Sequence, residues 1–159
     1  LMADQDRALW DQLQIRRGLQ ALARAQELDG GGPYALQAAI VACHARAATA
    51  NATDWPRIAA LYAHLAALVP SPVIALNRAV AVGMAEGPQA GLAMVDTLMR
   101  EPALKTYHLL PSVRGDLLFK LGRHEEARIA FETAAALTGN RREQEFLRRR
   151  AAACKLHIA

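Results

Sequence analysis

Aromatic residues are scarce in this chain. Three Phe, three Tyr and two Trp make 5% of 159 residues, although 53% of the residues are hydrophobic. Alanine dominates the apolar content, which favours helix and close helix–helix packing over sheet. Val, Ile and Thr are sparse and seldom alternate, which argues against half-buried strands. The two cysteines, Cys43 and Cys154, are too few for a disulfide scaffold or a cysteine metal site. A reducing, cytoplasmic compartment is the default for such a chain. There is no signal peptide and no run of 18 apolar residues, so no membrane span is expected. Charge of either sign is not in large excess: the net charge is +4, compatible with an acidic partner but not with a polybasic tail. The length suits one domain with a substantial core. The opening Leu-Met-Ala-Asp, without an initiator Met, reads as part of a longer protein.

What is present is a series of helical stretches punctuated by Pro and Gly. The first runs from Asp6 to Glu27, capped by Asp4 or Asp6 and ended by Gly30-Gly31-Gly32-Pro33. Its apolar residues fall on two faces, one beginning Leu9, Trp10, Leu13 and the other Ile15, Leu19, Leu22. A two-sided core helix and a helix with one face left for another partner both fit this pattern. Pro33 opens a second helix to about Thr49, and Asp54 caps a third with Pro56 in its first turn. Ile58, Leu61, Tyr62, Leu65 and Leu68 form the stripe of that third helix. Pro70-Ser71-Pro72 supplies an N-cap and an N1 proline for a fourth helix, Val73 to Met84. A fifth runs from Pro88 to Met99, with Leu92, Val95, Leu98 and Met99 inward.

Tyr107 to Asn140 is the most regular stretch. Gly115 and Ala127 are small where two antiparallel helices must approach closely, Phe131 and Ala134 share a face with Ala127, and Gly122 marks the turn. Small residues, an aromatic and a turn in this order resemble the tetratricopeptide unit of about 34 residues. Pro111, Arg114 and Gly139 depart from that pattern. Asn140 caps a last helix, with Glu143 placed for a capping box and Phe146, Leu147 and Ala151 inward. The expected fold is all-α: about eight helices in stacked antiparallel hairpins, a tetratricopeptide-like right-handed array. Residues 1–32 form an N-terminal linker and capping helix. Residues 33–159 form one compact domain of three hairpins, Pro33–Pro70, Ser71–Thr106 and Tyr107–Asn140, closed by a capping helix.

No catalytic, cofactor or metal constellation emerges. His44, His64, His108, His124 and His157 lack partners at ligand spacing, and adjacent Cys43 and His44 point about 100° apart on a helix. The glycine run before Pro33 has no preceding strand and no following lysine. Ser71 and Ser112, the only serines, stand in no nucleophile elbow. An enzyme is therefore not expected, and no cofactor. Arg141, Arg142, Arg148, Arg149, Arg150 and Lys155 make a basic cluster without interleaved recognition residues, better read as a solvated outer face than as a nucleic-acid surface. Asn77, Arg78 and Arg114 interrupt apolar helices. Interhelical bonds that fix register are one reading. The other is that Asn77, with Tyr34, Gln37 and His44 of the second helix, lines a concave peptide-binding surface.

Several strings, in order, are shared with one family. They are Asp6-Arg7-Ala8-Leu9-Trp10-Asp11, Gly32-Pro33-Tyr34-Ala35-Leu36-Gln37-Ala38-Ala39-Ile40, Thr53-Asp54-Trp55, and Pro70-Ser71-Pro72-Val73-Ile74-Ala75-Leu76-Asn77-Arg78-Ala79-Val80-Ala81-Val82. Gly87-Pro88, Tyr107-His108 and Leu121-Gly122-Arg123 follow. Over nearly its whole length the chain resembles the C-terminal tetratricopeptide-like extension of bacterial extracytoplasmic-function-type sigma factors. Ala8 and Gly115 are small departures from that pattern. The resemblance implies a regulatory, protein-interaction domain of a transcription initiation factor. Its partners would be N-terminal sigma domains in cis and RNA polymerase, with DNA reached only through those N-terminal domains. Trp10 is the expected coupling residue. A stand-alone peptide-binding helical-repeat adaptor is the alternative.

Overall fold

The computed structural model describes residues 7–27 and 31–156, except the side chains of Ala8 and Gln26. The expected caps Asp4 and Asp6, together with Gly30 and His157, lie outside the described residues. The fold is all-α, with eight α-helices and no strand among the described residues. Packing divides the chain into two compact units, Leu1–Pro70 and Ser71–Ala159. That boundary falls inside the stretch expected to be one domain, and the first helix belongs with the first hairpin.

In the first unit a 3₁₀ turn, Arg7–Leu9, precedes α1 (Gln12–Glu27), α2 (Pro33–Arg46), a second 3₁₀ turn (Ala50–Ala52) and α3 (Trp55–Leu68). The first helix thus begins six residues later than expected, because Asp11 Oδ1 accepts from the Gln14 N–H at 3.0 Å and sets the N-terminus there. Asp54 caps α3 as expected, accepting from the Arg57 N–H at 3.1 Å. Leu22, Ala39 and Ala42 are buried where α1 packs on α2, with Leu19 and Leu61 against them. Ile58 and Leu65 of α3 are fully covered, whereas Leu68, expected inward, is about half exposed at the helix end.

The second unit holds α4 (Pro72–Ala85), α5 (Pro88–Leu98), a 3₁₀ turn (Pro102–Leu104), α6 (Leu109–Lys120), α7 (His124–Leu137) and α8 (Arg141–Lys155). Each α-helix packs chiefly on its neighbours in sequence. The α6–α7 hairpin has the expected register. Phe131, Ala127 and Leu118 are buried in one continuous core. A Cβ on Gly115 would stand 2.8 Å from the Phe131 ring, so glycine is what lets the ring lie against α6. Gly122 has φ +75. Its N–H donates to the Phe119 carbonyl and the Arg123 N–H to the Leu118 carbonyl, a Schellman stop that satisfies the last carbonyls of α6.

Three details differ from expectation. Ser71 occupies the N-cap position of α4, but its side chain makes no capping bond. Phe146 and Met99, expected inward, are 42% and 45% exposed. On α8 the buried line is Leu147, Ala151 and Cys154, and Phe146 lies about 100° around the helix from Leu147.

The α4–α5 crossing rests on a glycine pair. A Cβ on Gly91 would lie 2.8 Å from both the Ala79 carbonyl oxygen and the Gly83 Cα. These are backbone atoms, so the helices would have to part. Gly91→Ala is expected to cost about 1–3 kcal/mol of stability by urea unfolding. A change below about 0.5 kcal/mol would show that the crossing tolerates a wider gap.

Candidate functional site

The first unit carries the candidates Trp10, Tyr34, Gln37 and His44. Arg7 organises this end. Its Nη1 donates to the carbonyls of His44 (2.9 Å) and Ala47, at the C-terminus of α2. Its Nη2 donates to the buried Thr53 hydroxyl at 3.3 Å. A cation here satisfies carbonyls that the helix leaves unpaired and complements its dipole. The same guanidinium lies 5.1 Å from the Trp10 ring centroid. Trp10 is therefore partly covered, while Leu9 and Leu13 beside it are 83% and 58% exposed. Leu9 and Trp10 precede α1 and only Leu13 lies on it, so the three do not form the single helix face expected.

His44 is half-buried, its ring edge-on to Trp55 with centroids 5.3 Å apart. Burial, and then the nearby Arg7 charge, hold its pKa below the ordinary histidine value. Its ring is thus packed against Trp55. Tyr34 and Gln37, by contrast, are exposed. Tyr34 stands at the rim of an apolar groove of about 560 Å³ between α1 and α2, floored by Gly18, Ala21, Ala25, Ala35 and Ala38. A smaller polar cleft, about 290 Å³, lies among Cys43, Arg46, Asp54 and Arg57. Burial pushes the Cys43 thiol up, with Arg57 and Arg46 pulling the other way, so it is a poor nucleophile.

The second unit carries Asn77, Arg78 and Arg114. Asn77 is exposed. Neither it nor Gln37 is buried against a partner, as a polar seam would require. Arg114 Nε donates to Asp96 Oδ1 at 2.8 Å and so bridges α6 to α5. It is an ion pair between two helices, with both side chains partly exposed. Arg78 makes no such bond, and its Nε is buried without a hydrogen-bond partner.

Two clusters escaped sequence reasoning. Arg150 reaches inward from α8 to pair with Asp116 of α6. Its guanidinium lies 4.8, 5.7 and 6.0 Å from the ring centroids of Phe131, Phe119 and Phe146, every phenylalanine in the chain. In the basic run Arg148-Arg149-Arg150 the third residue is thus a packing group. The available signal was its place one turn after Leu147 and next to Ala151. The second cluster is at the α7–α8 turn. Asn140 Oδ1 accepts from the Arg142 and Glu143 N–H groups. The expected reciprocal bond of a capping box is absent. The Asn140 N–H donates to Thr138 Oγ1, while Thr138 Oγ1–H donates to Glu143 Oε2 at 2.6 Å. His108 Nε2, at the start of α6, is 3.2 Å from the same carboxylate oxygen. Glu143 therefore ties α6 to the turn instead of closing its own cap.

Among the described residues no three metal-ligating side chains come together. No helix among them is long and apolar enough to cross a membrane. The described residues define an all-α array of helical hairpins. No family model matches the chain. No solved structure matches it. The chain is 47% identical over 148 residues to an uncharacterized protein of Rhizobium meliloti (strain 1021). The match takes in 93% of this chain and 34% of that protein, so the chain spans about a third of the length of the curated relative it matches.

Proposed function

We propose that this chain is the C-terminal regulatory and protein-interaction domain of a sigma factor, cytoplasmic and not itself an enzyme. It would modulate transcription initiation through contacts with N-terminal sigma domains in cis or with RNA polymerase. The observation that carries this reading is the ordered series of family-like strings from Asp6-Arg7-Ala8-Leu9-Trp10-Asp11 to Leu121-Gly122-Arg123. The all-α hairpin fold agrees with it. The relative's length agrees as well, since about two thirds of it lies outside the match and leaves room for DNA-reading domains. A covalent tether makes even a weak contact effective, because local concentration near a short linker reaches about the millimolar range.

The coupling element is the segment that carries exposed Leu9 and Leu13 with Trp10 between them, where a large aromatic at an interface is worth about 2 kcal/mol or more. In the full-length protein Trp10→Ala is expected to change transcription from the target promoter while the helical content is unchanged. Leu9→Ala/Leu13→Ala, which leaves the Arg7–Trp10 contact in place, is expected to act in the same direction. Initiation at the wild-type level by both variants would remove the cis-regulatory reading. The adaptor reading, favoured by the exposed Tyr34, Gln37 and Asn77, would replace it.

A further inference from the structure

We infer that the outer face of α8 is a docking surface for an acidic amphipathic helix of a partner protein. Arg142, Phe146, Arg149, Ala153 and Leu156 follow one another at steps of four, three, four and three. That spacing places them in one line along a helix, as in the seam of two packed helices. The line runs along the side of α8, from about 100° (Phe146) to about 180° (Leu156) around the axis from buried Leu147. Phe146 is 42% and Leu156 81% exposed. The side chains of Arg142 and Arg149 form no ion pair or hydrogen bond among the described residues. Neighbouring Arg148 is also unpaired, while Arg141 only approaches Glu145 at 3.8 Å.

The unit itself shows what such a face meets. Arg114 of α6 pairs with Asp96 of α5, and Arg150 of α8 pairs with Asp116 of α6. Apolar contact between helices is thus bridged twice by an arginine on one helix and an aspartate on another. The outer face of α8 presents the apolar line and the arginines, and lacks the carboxylates. A helix with apolar residues at heptad spacing, flanked by Asp or Glu, supplies both. An exposed aromatic flanked by arginines is also the composition typical of the energetic centre of a protein interface. The exposed apolar area is too small to anchor a helix in a bilayer, since the main apolar line of α8 is spent inside the unit. Phosphate backbone would use the arginines but leave Leu156 without a contact. This inference stands on α8 alone and does not depend on the sigma-factor reading.

The test uses the whole chain and a fluorescent synthetic helical peptide with heptad-spaced leucines flanked by glutamates. Anisotropy is read at about 50 mM and about 300 mM salt. The wild type is expected to bind, more weakly at the higher salt. Arg142→Glu/Arg149→Glu is expected to weaken binding about tenfold or more, and Phe146→Ala about threefold or more. Arg16→Glu/Arg17→Glu on α1 makes the same change in net charge at exposed positions and is expected to change affinity less than about twofold. Circular dichroism checks that each variant is folded. No binding of the peptide to the wild type would overturn the inference. So would equal losses in the two charge-reversal variants. Tighter, equally Arg142- and Arg149-dependent binding of duplex DNA or of anionic phospholipid vesicles would assign the face to those partners instead.

Discussion

Phe131→Ala is expected to lower the stability of the protein by about 3–5 kcal/mol, the range for deleting a fully buried aromatic side chain. The ring is 1% exposed and touches α6 directly at Gly115, where there is no side chain to move into the space. Collapse around the void is limited because Ala127, Ala130, Ala134 and Ala135 of the same helix are already small and buried. The guanidinium of Arg150 also rests on this ring, so part of the loss is the removal of a cation–π contact. Urea unfolding of the whole chain measures the effect. A loss under about 1 kcal/mol would mean that the α6–α7 hairpin does not have the register described.

Arg150→Ala is expected to cost about 2–4 kcal/mol, somewhat below the range for breaking a fully buried ion pair because both partners are partly exposed. Two effects combine: the loss of stem and guanidinium packing on the three Phe rings, and a carboxylate left without its cation. The second has a pH signature. Burial raises the Asp116 pKa above its ordinary value, and Arg150 is the main influence pulling it down again. Without Arg150 the folded-state value rises further. A carboxyl whose folded pKa is raised binds its proton more tightly in the folded state. Its contribution to stability is then full below the unfolded aspartate pKa and is lost as pH rises through the folded value. The variant should therefore fall behind the wild type most at about pH 7 and least near about pH 4. A deficit of equal size at both pH values would assign the whole effect to lost packing.

Helix boundaries and the best repeat were legible in the sequence because their causes are local. Pro33, Pro72 and Pro88 stand at the starts of α2, α4 and α5, and Asp54 and Asn140 cap α3 and α8 within three residues of their acceptor sites. The four- and three-residue steps from Ala127 to Phe131 to Ala134 marked a buried face, and Gly122 marked a turn that needs a left-handed residue. The late start of α1 was missed because several acidic residues compete to cap it, and Asp11 is the one that bonds. The Gly83–Gly91 approach was missed because a small residue announces a close contact without naming the helix it meets.

The sequence by itself thus determined the helices, their order, the α6–α7 register and the strings that resemble a sigma-factor extension. Tertiary structure alone decided which polar side chains are packing groups and which are open. Arg7 caps α2 from 37 residues away, Glu143 turns from its own cap to Thr138 and His108, and Arg150 turns inward while Arg149 stays out. Each outcome depends on a partner on another helix, placed by packing rather than by spacing along the chain. A long polar side chain costs little to hold in water, so its own sequence neighbourhood cannot announce whether it will find such a partner.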